Sequence, residues 1–356
     1  MEDYSKMLTD EFTKDTLIGS GKEFKAYTIQ PSDFMQSLAL FGGSGSGKTF
    51  MTKHVLYSLK DRFARVILFS PHAISERDFD GILHPLQIIP KITEEKFLEI
   101  YEAQDQIAKT YGKVTDLKNL RYLFNLVANS EQKGKVQWIE NERTTISNNI
   151  RSAHPPNIAL GKIQDLNKKI DAELVNYIRA VIMPVRHIVL EELPEDVNIC
   201  LRYLDMKPDT LIIFDDQMIE CAAIMKKKSR AAEAFKNMFT QGRHIFLTHF
   251  HLLQSDTLFP PIARLNIKTY IFTSSDFANK FVQNTTNGIS KEDQVDARKL
   301  INSLYSGEDH RKMIYLRDAQ KGEKFQHLLA KPSGVFPLGS KIIQSFCENL
   351  QKNFSK

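Results

Sequence analysis

Cysteine is scarce in this chain: three residues in 356, Cys200, Cys221 and Cys347, odd in number and far apart. That excludes a disulfide-built scaffold and a cysteine-type metal site, and it points to a reducing compartment. Long hydrophobic runs are missing as well. The longest apolar stretches, such as 211–214 (LIIF), are strand-sized, whereas a membrane span needs roughly 20 apolar residues. No membrane span is expected. The opening segment, MEDYSKMLTDEFTKD, is charged throughout, which does not suit a secretory signal. Excess charge is small: 48 Lys and Arg against 43 Asp and Glu leave +5. A nucleic-acid partner is permitted by that balance but not demanded. Neither an internal repeat nor a low-complexity tract is visible. What remains is an ordinary globular mixture, 42% hydrophobic and 26% charged, which excludes a wholly disordered chain. The length suits about two domains, or one with a large insertion.

Periodicity divides the chain. Residues 1–36 read as a polar N-terminal extension with a strand at 24–29. Residues 37–74 and 209–320 read as a core in which apolar strands alternate with helices. Its strands are expected at 38–41, 65–70 (RVILFS), 210–214 (TLIIF), 245–250 (IFLTHF), 267–273 and 313–317, with a helix at about 217–240. Residues 75–208 are dominated by helical spacing. Thr93 suits an N-cap, and Ile92 with Phe97 has the spacing of a hydrophobic staple. Phe97, Ile100, Tyr101, Ile107 and Ala108 form one run. Ile163, Leu166, Ile170, Leu174, Ile178 and Val181 form a second, stopped near Pro184. The stretch between them, 129–160, shows no period and reads as loop or short helix. The whole of 75–208 reads as a mainly helical insertion, and 321–356 as a C-terminal extension. The pattern predicts an α/β fold: a mostly parallel sheet, helices on both faces, and the insertion.

The first strand runs into Gly42-Gly43-Ser44-Gly45-Ser46-Gly47-Lys48-Thr49, which satisfies the P-loop pattern. Glycines let successive N–H groups turn toward phosphate oxygens, and the following helix N-terminus adds positive potential. Lys48 would reach the β- and γ-phosphates of ATP, and the Thr49 hydroxyl would ligate Mg²⁺. The second element is 211–216 (LIIFDD). Asp215 is placed to orient the magnesium shell and Asp216 to polarise a water; the plain alternative is a carboxylate that caps the next helix. A basic run follows, Lys226, Lys227, Lys228 and Arg230, which suits either a DNA backbone or a solvated helix face. His249 and His251 share one strand face. Zinc is conceivable there, but without nearby cysteines or an HExxH helix, packing or hydrogen bonding is the expectation.

The segment from Gly242-Arg243-His244 through IFLTHFHLL to Gln254, then Pro261, Arg264 and Asn266, closely resembles the poxvirus-type genome-packaging ATPases of the FtsK–HerA superfamily. GGSGSGKT and PDTLIIFDDQ are similar to that family too. The resemblance covers about 37–75 and 205–275, with fainter likeness to about 320. It implies a RecA-like sheet with the P-loop strand central and a sensor strand beside it. It implies ATP hydrolysis with Mg²⁺ that moves double-stranded DNA into a capsid, and a homo-oligomeric ring. Gln254 matches the family's sensor. Arg243 occupies the place of an arginine acting on a neighbour's ATP, with Arg264 the runner-up. Asp216 stands where many such motors carry Glu. The implied location is a virion or the viral factory of a host cytoplasm. A capsid-vertex protein or a neighbouring subunit is the expected contact of 75–208, because its helical runs carry apolar faces beyond the core sheet's needs. Rival readings are another translocase or helicase-like ATPase, a P-loop nucleotide or small-molecule kinase, and a nucleotide-gated assembly protein.

Overall fold

The computed structural model describes residues 16–19, 22–188, 192–254, 260–305, 311–331 and 333–354. Two compact units emerge, one from 1–105 with 208–356 and one from 106–207. In the first, β1 (Thr16–Gly19) and β2 (Lys22–Lys25) pair as an antiparallel ribbon. The remaining strands are β3 (Ser37–Phe41), β4 (Arg65–Phe69), β5 (Ile88–Ile89), β6 (Thr210–Asp215), β7 (Leu247–Leu253), β8 (Thr269–Phe272), β9 (Lys312–Leu316) and β10 (Phe325–Leu328). They form one sheet in the order β10-β9-β8-β3-β7-β6-β4-β5. From β8 to β5 every pairing is parallel; β9 and β10 turn back antiparallel at one edge.

The central strands read as near-continuous apolar runs because both faces are covered. The two-residue pleat sorts them. Ala39, Phe41, Ile212 and Phe214 face one core, while Leu38, Leu40, Leu211 and Ile213 face the other. Helix α1 (Lys48–Ser58) packs Met51, Val55 and Leu56 into the second core. Helix α2 (Glu94–Thr115) seats Phe97 and Ile100 in the first. As expected, Thr93 caps α2, its Oγ1 accepting from the Lys96 amide at 3.2 Å, and Ile92 is buried in the core that holds Phe97.

The second unit continues from α2 with α3 (Leu117–Val127), α4 (Ser130–Ala153), α5 (Pro156–Ile182) and α6 (Glu195–Arg202). Leu120, Leu123 and Phe124 meet Ile178, Ile182, Val197 and Cys200, and Ile139 meets Ile170 and Leu174. The chain then returns to the first unit for α7 (Met218–Met225), α8 (Arg230–Gln241), α9 (Pro261–Asn266), α10 (Ser275–Gln283), α11 (Lys291–Leu304) and α12 (Lys341–Phe354). No helix among the described residues is long and apolar enough to cross a membrane.

Four expectations are corrected here. The stretch 129–160 is not loop or short helix; it is largely the 24-residue α4. Only Ile139 and Ser147 of α4 are buried, so the sequence shows no apolar stripe. A capping box starts the helix, with Asn129 and Gln132 exchanging side-chain and backbone hydrogen bonds, both at 2.9 Å. The single helix at 217–240 is two, parted at 226–229, where the Ser229 Oγ accepts from the Ala232 amide and starts α8 afresh. Residues 75–105 belong with the core, because β5 extends the sheet beside β4 and Phe97 fills it. The terminal segments are core material too. Phe34 and Leu338 are fully buried, and β10 pairs with β9.

Candidate nucleotide site

The site forms where β3, β7 and β6 end side by side. Beyond Phe41 the Gly42 amide donates to the Leu253 carbonyl (2.9 Å), extending the β3–β7 pairing by one residue. A Cβ on Gly42 would stand 2.0 Å from Thr273 Oγ1 and 2.3 Å from Ser46 Oγ, so only glycine fits. Gly45 (φ +69°) and Gly47 (φ +86°) occupy the left-handed region that turns the loop into α1. Ser46 Oγ donates to the Gly43 carbonyl at 2.8 Å. Thr273 Oγ1, just past β8, lies 2.7 Å from Ser46 Oγ and 3.1 Å from the Phe41 carbonyl. The Lys48 ammonium crosses the loop and donates to the carbonyls of Gly42 (2.9 Å) and Gly43 (3.0 Å). Thr49 follows in the first turn of α1.

On the acidic side, Asp215 closes β6. Its Oδ2 accepts from Ser70 Oγ (2.8 Å) at the end of β4, and Ser70 Oγ accepts from the Ala73 amide (3.2 Å). Burial pushes the Asp215 carboxyl up to about 6. The Ser70 hydrogen bond opposes that rise, the Asp216 charge adds to it, and the Lys48 charge opposes it. Asp216 leaves the strand with φ +50°, an uncommon conformation that Asp tolerates better than most residues. It is exposed, and its Oδ2 accepts from Gln254 Nε2 at 2.5 Å. Strand β7, which is followed directly by Gln254, thus lies beside the strand that leads into the glycine-rich loop, Leu40 opposite Leu252, the strand order that the resemblance implied. Lys48, Asp216 and Gln254 come to neighbouring strand ends.

Other candidates lie elsewhere. Arg243 is exposed in the 3-10 turn Gly242–Ile245 that leads into β7. Seven strand residues, about 23 Å of chain, separate it from Gln254. The carbonyl of Arg264, on α9, accepts from Tyr270 Oη (2.5 Å) and Arg317 Nη2 (2.7 Å). Of the basic run, Lys227 pairs with Glu94 and Arg230 with Glu102. Lys226 and Lys228 are exposed without an ion-pair partner among the described residues. His249 and His251 are buried, with Nδ1 of one 3.0 Å from Nε2 of the other. Their rings pack on Phe239 and His251 stacks on Phe214, while desolvation holds both imidazoles neutral. No group of three or more His, Cys, Asp or Glu among the described residues is arranged to hold a metal ion.

Three positions escaped the sequence reading. Ser70 and Thr273 are hydroxyl residues directly after apolar strands, and that placement is the signal that identifies them. Gln217, buried next to the acids, takes the Ile92 amide on Oε1 (2.9 Å) and donates from Nε2 to the Pro90 carbonyl (3.2 Å). Nothing in the local sequence marks it.

Residues 21–180 match the profile of the family described as Poxvirus A32 protein. Over that segment the chain is similar to the A32 family. Its fold is α/β, built on a mostly parallel eight-stranded sheet with the glycine-rich loop at the end of a central strand. The B354L proteins of African swine fever virus, from a Kenyan pig isolate and a Malawian tick isolate, are each 25% identical to it over 350 residues, covering 92% of both chains. Among solved structures, the pCW3 conjugation coupling protein TcpA with ATPγS is 12% identical. It covers 97% of this chain and 72% of its own, with a TM-score of 0.37. The plasmid coupling protein TrwB with ADP and Mg²⁺ is 12% identical, covering 90% and 94%, with a TM-score of 0.35.

Proposed function

We propose that the protein hydrolyses ATP to drive double-stranded DNA into a viral capsid. The observation that carries the hydrolysis is the meeting of Lys48, Asp216 and Gln254 at the ends of β3, β6 and β7. The similarity to the A32 family, together with the packaging-ATPase resemblance of the segment from Gly242 to Asn266, supports the DNA and capsid parts, and with them a location in the virion or a cytoplasmic viral factory.

The loop fits a triphosphate. Its glycines hold the turn open, and the α1 N-terminus faces it with unpaired N–H groups. On binding, Lys48 exchanges its two carbonyl partners for phosphate oxygens. Thr49 and Asp215 offer a hydroxyl and a carboxylate, the oxygen donors that suit Mg²⁺ beside phosphates. Bound there, the metal supplies positive charge against the β- and γ-phosphate oxygens. Ser70 holds one Asp215 oxygen, which fixes the carboxylate's orientation. Asp216 polarises the attacking water, and Gln254 steers it from the next strand. Arg243 lies too far along β7 to serve its own site, so it acts on a neighbour's ATP. That requires a head-to-tail interface, which closes as a ring.

The test is phosphate release with and without linear duplex DNA, beside Lys48→Ala. DNA-stimulated release that vanishes in the variant is expected. Turnover indifferent to DNA would favour the kinase reading. Particles assembled with Lys48→Ala should lack DNA, and full particles would remove the capsid role.

A further inference from the structure

Helices α4 and α5 form an antiparallel hairpin joined at His154 and Pro155. Its proximal half is held by Ile139 against Ile170 and Leu174, and by Arg143 with Asp171 at 3.1 Å. The distal half, residues 144–169, has a different composition. It carries Arg151, Lys162, Lys168 and Lys169 against a single carboxylate, Asp165. The rest of the 106–207 unit is balanced, 11 cations against 11 carboxylates. The unit's whole excess charge is therefore gathered at one end of one hairpin.

All four cations are exposed, and none has a carboxylate partner among the described residues. Arg151 Nη1 meets only the Asn148 amide oxygen (3.4 Å), and Lys162 Nζ meets only His154 Nε2 (2.8 Å). Two cations nearer the helix bases are neutralised, Arg121 by Glu140 and Arg143 by Asp171, while Lys133 donates to the Asn125 carbonyl and Lys135 lies over the Tyr177 ring. Exposed amides, Asn148, Asn149, Asn157 and Gln164, lie among the distal cations. Such side chains donate to phosphate oxygens alongside Lys and Arg. Like charges gathered without counter-charges repel one another, and a polyanion that supplies those charges from outside is bound in proportion. The run at 226–230 is a poorer candidate, because Glu94 and Glu102 already hold two of its four cations.

We infer that the distal half of the α4–α5 hairpin binds the phosphate backbone of double-stranded DNA. The inference rests on reading the protein as a DNA translocase, and it gives the helical unit a task in that reading. Four alanines in place of Arg151, Lys162, Lys168 and Lys169 test it in the full chain, with anisotropy of a fluorescein-labelled duplex measured over a salt series. Each lost phosphate contact lowers the slope of log K against log salt by about 0.9, so four contacts remove up to about 3.6. ATP turnover without DNA should be unchanged. An unchanged slope and affinity in the variant, with the unaltered protein binding duplex, would overturn this inference alone. Absence of duplex binding by the unaltered protein would overturn the translocase reading and this one with it. Tighter binding of poly-glutamate than of duplex by the unaltered protein would overturn it in favour of an acidic protein surface.

Discussion

Gln254 and Asp216, 38 residues apart in the chain, share a hydrogen bond from Nε2 to Oδ2 at 2.5 Å. The two side chains come from adjacent parallel strands, so the bond reports the β6–β7 register directly. It also sets two demands against each other. An amide that holds Asp216 has less freedom to hold a water or a phosphate. Asp216→Asn keeps the contact but removes the base, so kcat should fall by about 10²–10⁴ while nucleotide affinity changes little. Single-turnover hydrolysis beside equilibrium binding of a fluorescent ATP analogue separates the two effects. Near-normal turnover would show that Asp216 is only a structural turn residue.

Gly42→Ala places a methyl group on Thr273 Oγ1 and Ser46 Oγ. The cost is on the order of 1–3 kcal/mol of strain, delivered to the loop proposed to hold phosphate. Thermal melts should show lower stability, and nucleotide affinity should be lost. Adding Thr273→Ala relieves one of the two clashes and should restore part of the stability. Full affinity in Gly42→Ala would contradict the cradle geometry.

The Asp215 carboxyl, raised to about 6 by burial, is neutral below that pH and then a poor magnesium ligand. Magnesium affinity and turnover should therefore fall as pH drops through about 6. The Ser70 hydroxyl favours the charged form, so Ser70→Ala raises the carboxyl further and moves the acidic limb to higher pH. For folding the sign is reversed. The folded state holds this proton more tightly than an unfolded carboxyl near 3.8, so the group adds stability as pH falls from about 6 toward that value. Profiles of kcat/KM against pH for both proteins check this; coincident acidic limbs would remove Ser70 as the positioning residue.

Gln217 satisfies the Ile92 amide and the Pro90 carbonyl from a buried position. Gln217→Ala should cost about 1–3 kcal/mol, because both backbone groups lose their partner. Urea unfolding reads it, and an unchanged midpoint would mean that water replaces the amide.

Arg243→Ala subunits mixed with Lys48→Ala subunits should recover part of the hydrolysis that neither shows alone. In a mixed ring, some interfaces join an intact phosphate loop to an intact arginine. No recovery in rings proven to be mixed would end the trans assignment.

The sequence made some of this architecture readable and hid the rest, for physical reasons. The phosphate loop and the acidic strand were legible because each is contiguous, and because LALF and LIIF are apolar runs that only a doubly covered sheet accommodates. The loop's brace was not. Ser46 and Thr273 are 227 residues apart and meet only because β3 and β8 pair. Helix α4 was hidden by its own exposure, since two buried side chains in 24 residues leave no stripe to detect. The edge strand β5 is two residues long, too short to carry an alternation. Ion pairing was equally invisible: Lys227 and Arg230 looked like free cations until α2 placed Glu94 and Glu102 against them.

Strand β7 is entered from the turn that carries Arg243, four residues before Leu247, and is followed directly by Gln254. Both faces of the strand are buried and both neighbours are parallel, so it moves as one stiff rod or not at all. With Arg243 acting in trans, the two ends of this rod sit in different ATP sites. The loss of a phosphate at one site would then displace a group in the next through a single rigid element, and the order of firing around the ring would be set by the length of one strand.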